Sequence, residues 1–334
     1  MKLVEVEAAA VPNMLRALTT VARAAKNGIA APQRALLEAI PRILLSSAID
    51  LTPDLDAVAD IDPEELVQHG MDAAQATQLV RLMIVMAIAE GPPTESQAGL
   101  IRNFASALSV DEPGVSVFGH LAKGRMLRFK AAFARRSHVR VYLKNTRRLL
   151  KNPLAILRAL LRFRGVLPED KQISDRYRAL GALPGDTLGR QFFEHCRREN
   201  LPLCGEKGGF PPGALYHDFT HVLAGYDTSP SGEMKAAAFQ GGFTTHDCDF
   251  FTVLFGLLIH TAGINMTPFE MPVLLGRIGQ DQLALEVLHA LERGAAMNTD
   301  LGADWDFWDD VERPIDEVRA RMGIAPIDPV RVAA

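Results

Sequence analysis

"PPGALYHDFTHVLAGYDTSPSGE", residues 211–233, reads as two helices joined by a tight turn. Pro211 and Pro212 suit the first turn of a helix, where proline's missing N–H costs nothing, and that helix should run to about Ala224. Gly225 stands where a left-handed cap would end it. "YDTSP" turns the chain, Ser229 caps a second helix, and Pro230 is its first residue. His217 and His221 are four apart and share one face, with Asp218 on its flank. At a rise of about 1.5 Å per residue, His221 lies roughly 6 Å before the turn and Glu233 roughly 5 Å after it. The two therefore reach one level of an antiparallel hairpin, and His217 sits one turn deeper.

Two imidazoles and two carboxylates converging between two helices suit a borderline divalent ion. Imidazole suits Zn²⁺ or Fe²⁺, and carboxylate suits Mn²⁺, Fe²⁺ or Zn²⁺. All four groups together would close the coordination shell. If one carboxylate stands back, a position stays open for water or substrate, which chemistry requires. The bland alternative is a solvated or core pair of histidines, the common meaning of H-x-x-x-H on a helix. A second alternative is a zinc peptidase, because H-D-x-x-H places a carboxylate where H-E-x-x-H enzymes keep their general base. Asp is one methylene shorter than Glu and would hold the attacking water less readily.

Beyond the hairpin comes "FTTHDCDFFTVLFGLLIH", residues 243–260. Gly241-Gly242 is expected to break the second helix, and Thr244 to cap a new one with Asp247 three residues on. Asp247 and Asp249 would favour its N-terminal dipole. His246 is a candidate acid/base beside the metal, whereas His260 reads as a core histidine. His69, His120, His138, His195 and His289 are scattered and carry no functional assignment. Trp305 and Trp308 read as anchors of the C-terminal segment to the core.

The chain around this motif has 334 residues, 48% of them hydrophobic and 23% charged, so a sizeable core and two domains are expected. Its three cysteines suit a reducing compartment and lack the spacing of a thiolate zinc site. Glu5 and Glu7 interrupt any signal-peptide core, and the longest strongly apolar run, Phe250 to Gly263, is too short to span a bilayer. A cytoplasmic protein is the expectation. Helical periodicity recurs, as in "AQATQLVRLMIVMAIAEG" and "QDQLALEVLHALERG", with Gly91 and Gly294 at expected helix ends. No alternating strand pattern is found, so the fold class is all-α: a smaller N-terminal helical domain (1–112), a basic linker or amphipathic helix (113–139) and a C-terminal metal-binding domain (140–334).

From Gly114 to Pro168 there is no Asp or Glu, while 14 Lys or Arg fall between Lys123 and Arg164; against a net charge of −4, this leaves −18 for the rest of the chain. Apolar residues recur every three or four through the same stretch, and Asn152-Pro153 should split it into two helices. Such a segment is either a pair of solvated surface helices or an amphipathic surface lying on an anionic membrane. Nucleic acid is not the expected partner, for want of any helix-turn-helix, zinc-finger or RNA-binding signature.

"AIAEGPPTESQAGLIRNFASALSV", residues 87–110, with Thr94 as an N-cap, resembles the TerB-like helical domains, and no ligand site is carried over from them. The motif His217, Asp218, His221 and, after eleven residues, Glu233 resembles the signature of the Coq4 family of ubiquinone biosynthesis. The likeness extends to "LPGDTLGRQFF", "HVLAG" and "DWDFWDDVERPIDEVRARMGI", and covers roughly residues 140 to 326. It implies an all-α fold with a divalent metal, commonly zinc, on those four positions. It also implies a peripheral membrane protein, here at the inner membrane, that handles prenylated aromatic and quinone lipids. The implied chemistry is removal of the ring's C1 carboxyl and its replacement by hydroxyl, or else a non-catalytic role as a lipid-binding scaffold for other quinone-biosynthesis proteins. In the first case Glu233, Asp218 and His246 are the catalytic candidates, and Phe250, Val253, Leu254 and Leu257 would line a path for the prenyl tail. A homo-oligomer is a further expectation. Two departures stand out: the extra N-terminal region of about 110 residues, and "LCGEKGGFPPGALY" ahead of the motif, where the family has a helical, charged approach.

Overall fold

The second helix of the hairpin is the pivot of the structure. The computed structural model describes residues 3–44, 55–150, 152–267, 272–303 and 305–327; Lys151 of the basic stretch, Asp304 and the end of the C-terminal region (328–334) lie outside them. Among the described residues there are sixteen α-helices and no strand. They are α1 (Val11–Arg23), α2 (Ala31–Leu44), α3 (Pro63–Gln68), α4 (Ala73–Ile88), α5 (Glu95–Ala107), α6 (Pro113–Ala122), α7 (Met126–Ala134) and α8 (Val139–Leu150). Then come α9 (Pro153–Phe163), α10 (Lys171–Arg178), α11 (Leu188–Arg198), α12 (Tyr216–Ala224), α13 (Pro230–Phe243), α14 (Asp249–His260), α15 (Leu283–Ala295) and α16 (Ile315–Met322). The all-α class is as the periodicity indicated.

Helix α13 is rich in alanine and glycine and is enclosed by α12, α14 and α15. Small side chains are what let three helices approach one. A Cβ on Gly241 would run into the Val253 side chain, one on Gly242 into the Leu291 carbonyl, and one on Gly294 into the Phe239 carbonyl. A Cβ on Gly256 would lie 2.7 Å from that of Ala237. This corrects the expected break at Gly241-Gly242. The glycines are contact points rather than breakers, and α13 continues through them to Phe243. It also corrects the expected cap at Thr244. Its hydroxyl donates back to the Gln240 carbonyl (2.7 Å), and α14 begins only at Asp249, after Cys248. Gly294 likewise lies inside the last turn of α15 rather than beyond it.

The hairpin's first helix also starts later than the prolines indicate. Pro212–Ala214 forms a 3₁₀ turn, and α12 begins at Tyr216. Helix α8 crosses this turn so closely that a Cβ on Gly213 would strike Thr146. The other caps stand where the sequence places them. Gly225 is left-handed (φ 77°), Ser229 accepts from Gly232 N (3.1 Å), and Thr94 and Asn152 accept from the amides of Gln97 and Leu154.

The N-terminal helices share one apolar core with the rest. Helix α2 packs on α15, and α4 on α14. Thr261 Oγ1 donates to Ala89 O (3.0 Å). Arg81 of α4 pairs with Glu112 (2.7 Å) and Asp249 (3.2 Å) and lies over the Phe250 ring. In residues 113–139, Phe118, Phe129 and Phe133 are buried in a chain of ring contacts ending on Phe251. Trp308 packs on Tyr177, and Trp305 packs on Phe219 and donates to the buried Asp310 (2.8 Å), which anchors the C-terminal segment as expected. Helix α9 is the opposite case. It buries no residue, and Leu154 and Leu157, ahead of its arginines Arg158 and Arg162, are each 51% exposed.

Candidate metal centre

The turn at Gly225–Ser229 folds α12 against the first turn of α13 and sets Glu233 opposite both histidines. Glu233 Oε2 lies 3.5 Å from His217 Nε2, and Oε1 lies 3.5 Å from His221 Nε2. One ligand atom from each of the three residues falls within a sphere of mutual separations below 4.8 Å. The imidazole planes cross at 84° with centroids 4.9 Å apart, so both nitrogens address the carboxylate from different sides.

Each histidine is oriented by a neighbour behind it. The Tyr226 carbonyl lies 3.2 Å from His221 Nδ1. A carbonyl can only accept, so Nδ1 carries a proton, and in the neutral ring the lone pair is therefore on Nε2. Nε2 is buried and has no hydrogen-bond partner, in a residue only 2% exposed. The Gln240 side-chain amide lies 3.2 Å from His217 Nδ1 and 3.3 Å from Thr220 Oγ1. Thr220 itself is fixed by donating to the Tyr216 carbonyl (2.8 Å).

Electrostatics make the cluster a tight acid–base pair. Burial alone would lower the pKa of His217, but the facing Glu233 carboxylate outweighs it and raises it to about 9. Burial alone would raise the pKa of Glu233, but the two facing imidazoles, that of His217 above all, hold it well below the usual carboxylate range. Without a metal, a proton on His217 therefore supplies the positive charge that the carboxylate faces.

Asp218 is not brought into this cluster. It is buried, and loss of solvation pushes its pKa up to about 6, moderated by the two histidines. His246 also stands outside the cluster, in the turn before α14. Phe250, Val253, Leu254 and Leu257 are all buried in the core around α14, so a prenyl chain reaching them must displace packed side chains. His260 is buried, as expected of a core histidine, and lies close enough to sense the Glu233 charge.

Other residues come to the site from places the motif does not reveal. His195 of α11 stacks on His221 with centroids 5.8 Å apart, and burial pushes its pKa down to about 4. His138, between the rings of Tyr142 and Phe255, is pushed down to about 3 by burial and by the charge of His217. Gln240 had a readable signal. It follows Glu233 by seven residues, two turns along the same face of α13. His195 and His138 had none, since tertiary packing alone brings them in.

The donor set fits a divalent ion. Two ligands bonded at about 2.0–2.1 Å in a tetrahedral shell stand about 3.3–3.4 Å apart, close to the 3.5 Å between Glu233 and each imidazole. His221 Nε2, which makes no hydrogen bond, borders that gap. His217 and Glu233 remain 22% and 27% exposed, so the cluster is open on their side and closed behind His221.

Neither a protein-family model nor a curated protein sequence matches the chain. Among solved structures it is similar to a Nostoc punctiforme protein provisionally assigned to ubiquinone biosynthesis, at 20% identity, over 63% of this chain and 94% of that one, with a TM-score of 0.33.

Proposed function

We propose that the protein is a divalent-metal enzyme of prenylquinone biosynthesis that removes the C1 carboxyl of a prenylated aromatic acid at a membrane surface. The observation that carries the metal is the buried Nε2 of His221, which makes no hydrogen bond and lies 3.5 Å from Glu233 Oε1. The substrate class rests on the resemblance of the His217, Asp218, His221 and Glu233 pattern to the Coq4 family. His217, His221 and Glu233 would hold the ion, which is Zn²⁺ or, with the same donors, Fe²⁺ or Mn²⁺. Bound there, it supplies Lewis-acid polarisation of the ring carboxylate or phenol.

The chain's own residues do the rest. Tyr226 and Gln240 keep the imidazoles oriented. Asp218, with its pKa near 6, retains part of its protonated form at neutral pH and suits a general acid for the ring position that loses CO₂. Replacing the carboxyl by hydroxyl instead of hydrogen requires dioxygen or another oxidant. The arginines and exposed leucines of α8 and α9 would keep the protein on the anionic surface where such a lipid resides. Among the described residues no helix is long and apolar enough to cross a membrane.

Elemental analysis of purified wild-type and His221→Ala protein tests the metal; equal metal content in the two would refute the site. Glu233→Gln should abolish turnover of a prenylated hydroxybenzoate in a complementing host. Continued quinone synthesis by a metal-free Glu233→Gln protein would instead favour the scaffold role.

A further inference from the structure

The last carbonyls of a helix find no partner within it. In α12 every one is taken from outside. The His221 carbonyl accepts from Gly225 N (2.9 Å) and Tyr226 N (3.2 Å). Val222 O and Leu223 O accept from Arg319 Nη2 and Nε, each at 3.0 Å. Ala224 O accepts from both terminal nitrogens of Arg293 at 3.3 Å. Arg293 donates further to Ala325 O (2.7 and 3.0 Å) and to the Tyr226 hydroxyl (2.5 Å).

Arg293 is only 5% exposed, and its hydrogen-bond partners are all neutral oxygens. A buried guanidinium without an anion is costly. Here the partial negative charge of the α12 C-terminus and the faces of Tyr226 and Phe239, 5.3 and 5.5 Å away, offset that cost. The result is that Tyr226 is held at both ends. Its hydroxyl is fixed by Arg293, and its carbonyl meets His221 Nδ1.

We propose that Arg293, assisted by Arg319, is a positioning residue for the metal centre: it locks the last turn of α12 and Tyr226 so that the Tyr226 carbonyl holds His221 as the Nδ1–H tautomer with Nε2 free to bind the ion. This rests on the metal reading above and extends it to residues some seventy and one hundred positions downstream. The sign of the effect separates positioning from simple electrostatics. Removing a positive charge near a cation site tightens cation binding by Coulomb's law. Removing a positioning residue weakens it.

The test combines two readouts on the full chain. Nitrogen-15 spectra of histidine-labelled, metal-free protein report the His221 tautomer, and visible absorption of added Co²⁺ reports affinity. Wild type should show the Nδ1–H form. Arg293→Gln should show mixed tautomers and Co²⁺ binding at least tenfold weaker, with Arg293→Lys in between. A pure Nδ1–H form together with an affinity within twofold of wild type, or tighter, overturns the proposal. Should Arg293→Gln fail to fold, Arg319→Gln and Tyr226→Phe carry the same test, and unchanged tautomer and affinity in both overturn it. If wild type binds Co²⁺ no better than His221→Ala, the metal reading fails, and the tautomer comparison alone then decides the positioning role.

Discussion

Raising the pH from 6.5 to 8.5 should weaken the metal-free protein and strengthen its hold on metal at the same time. His217 has a folded pKa of about 9, against about 6.5 in an unfolded chain. A raised pKa means that protonation favours the folded state. That stabilisation is complete below pH 6.5 and is lost as pH climbs through 9. Over the two units named, a single group with these values forfeits about 2 kcal/mol, or a fall in melting temperature of about 3 °C for a chain this long. Metal must displace the same proton, so below pH 9 its affinity rises about tenfold per pH unit. Differential scanning fluorimetry in chelator and in saturating Zn²⁺ measures both trends, and Glu233→Gln is the control, since it removes the carboxylate that raises His217. Parallel pH profiles with and without Zn²⁺, or a metal-free profile unchanged by Glu233→Gln, would refute the picture of a proton and a metal competing for one carboxylate.

Below pH 6.5 the opposite sign applies to His138 and His195, whose folded pKa values of about 3 and 4 keep them neutral. Each should cost about 1.4 kcal/mol of stability per pH unit as acidity rises, and denaturant midpoints of His138→Leu should show a shallower acid limb. Gly294→Ala places a methyl group against the Phe239 carbonyl; a loss of about 1–3 kcal/mol, or failure to fold, is expected, and an unchanged urea midpoint would contradict the close approach of α13 and α15. Leu154→Asp with Leu157→Asp on α9 leaves the core untouched and should reduce cosedimentation with anionic vesicles severalfold; wild-type binding that is equal on neutral vesicles and indifferent to salt would rule out the electrostatic part.

What the sequence discloses here is what lies close along the chain. The His217–Glu233 hairpin, the Gly225 and Ser229 caps and the break at Asn152-Pro153 follow from local chemistry, and the structure has them in place. The glycines were legible only in part. Gly225 carries the meaning of a helix end, whereas Gly241, Gly242 and Gly294 carry the meaning of contact, and composition alone does not separate a breaker from a point of close approach. Asp218 has the residue type of a ligand, but its position on the flank of α12 leaves it outside the group that meets Glu233. Arg293, Arg319 and His195 reach the site only through packing of distant segments, which no local pattern encodes.

The hairpin's shortness has a thermodynamic consequence of its own. Glu233 follows His221 by twelve residues, and the two histidines are four apart. Closing so small a loop costs little chain entropy, so an unfolded chain can chelate through the same three side chains. Metal that binds both states stabilises the fold by less than its affinity for the native protein would give. The binding constant measured on folded protein and the shift in unfolding free energy at a given ion concentration should therefore disagree, and the size of that gap measures how much of the centre survives when α11, α15 and α16 are no longer packed around it.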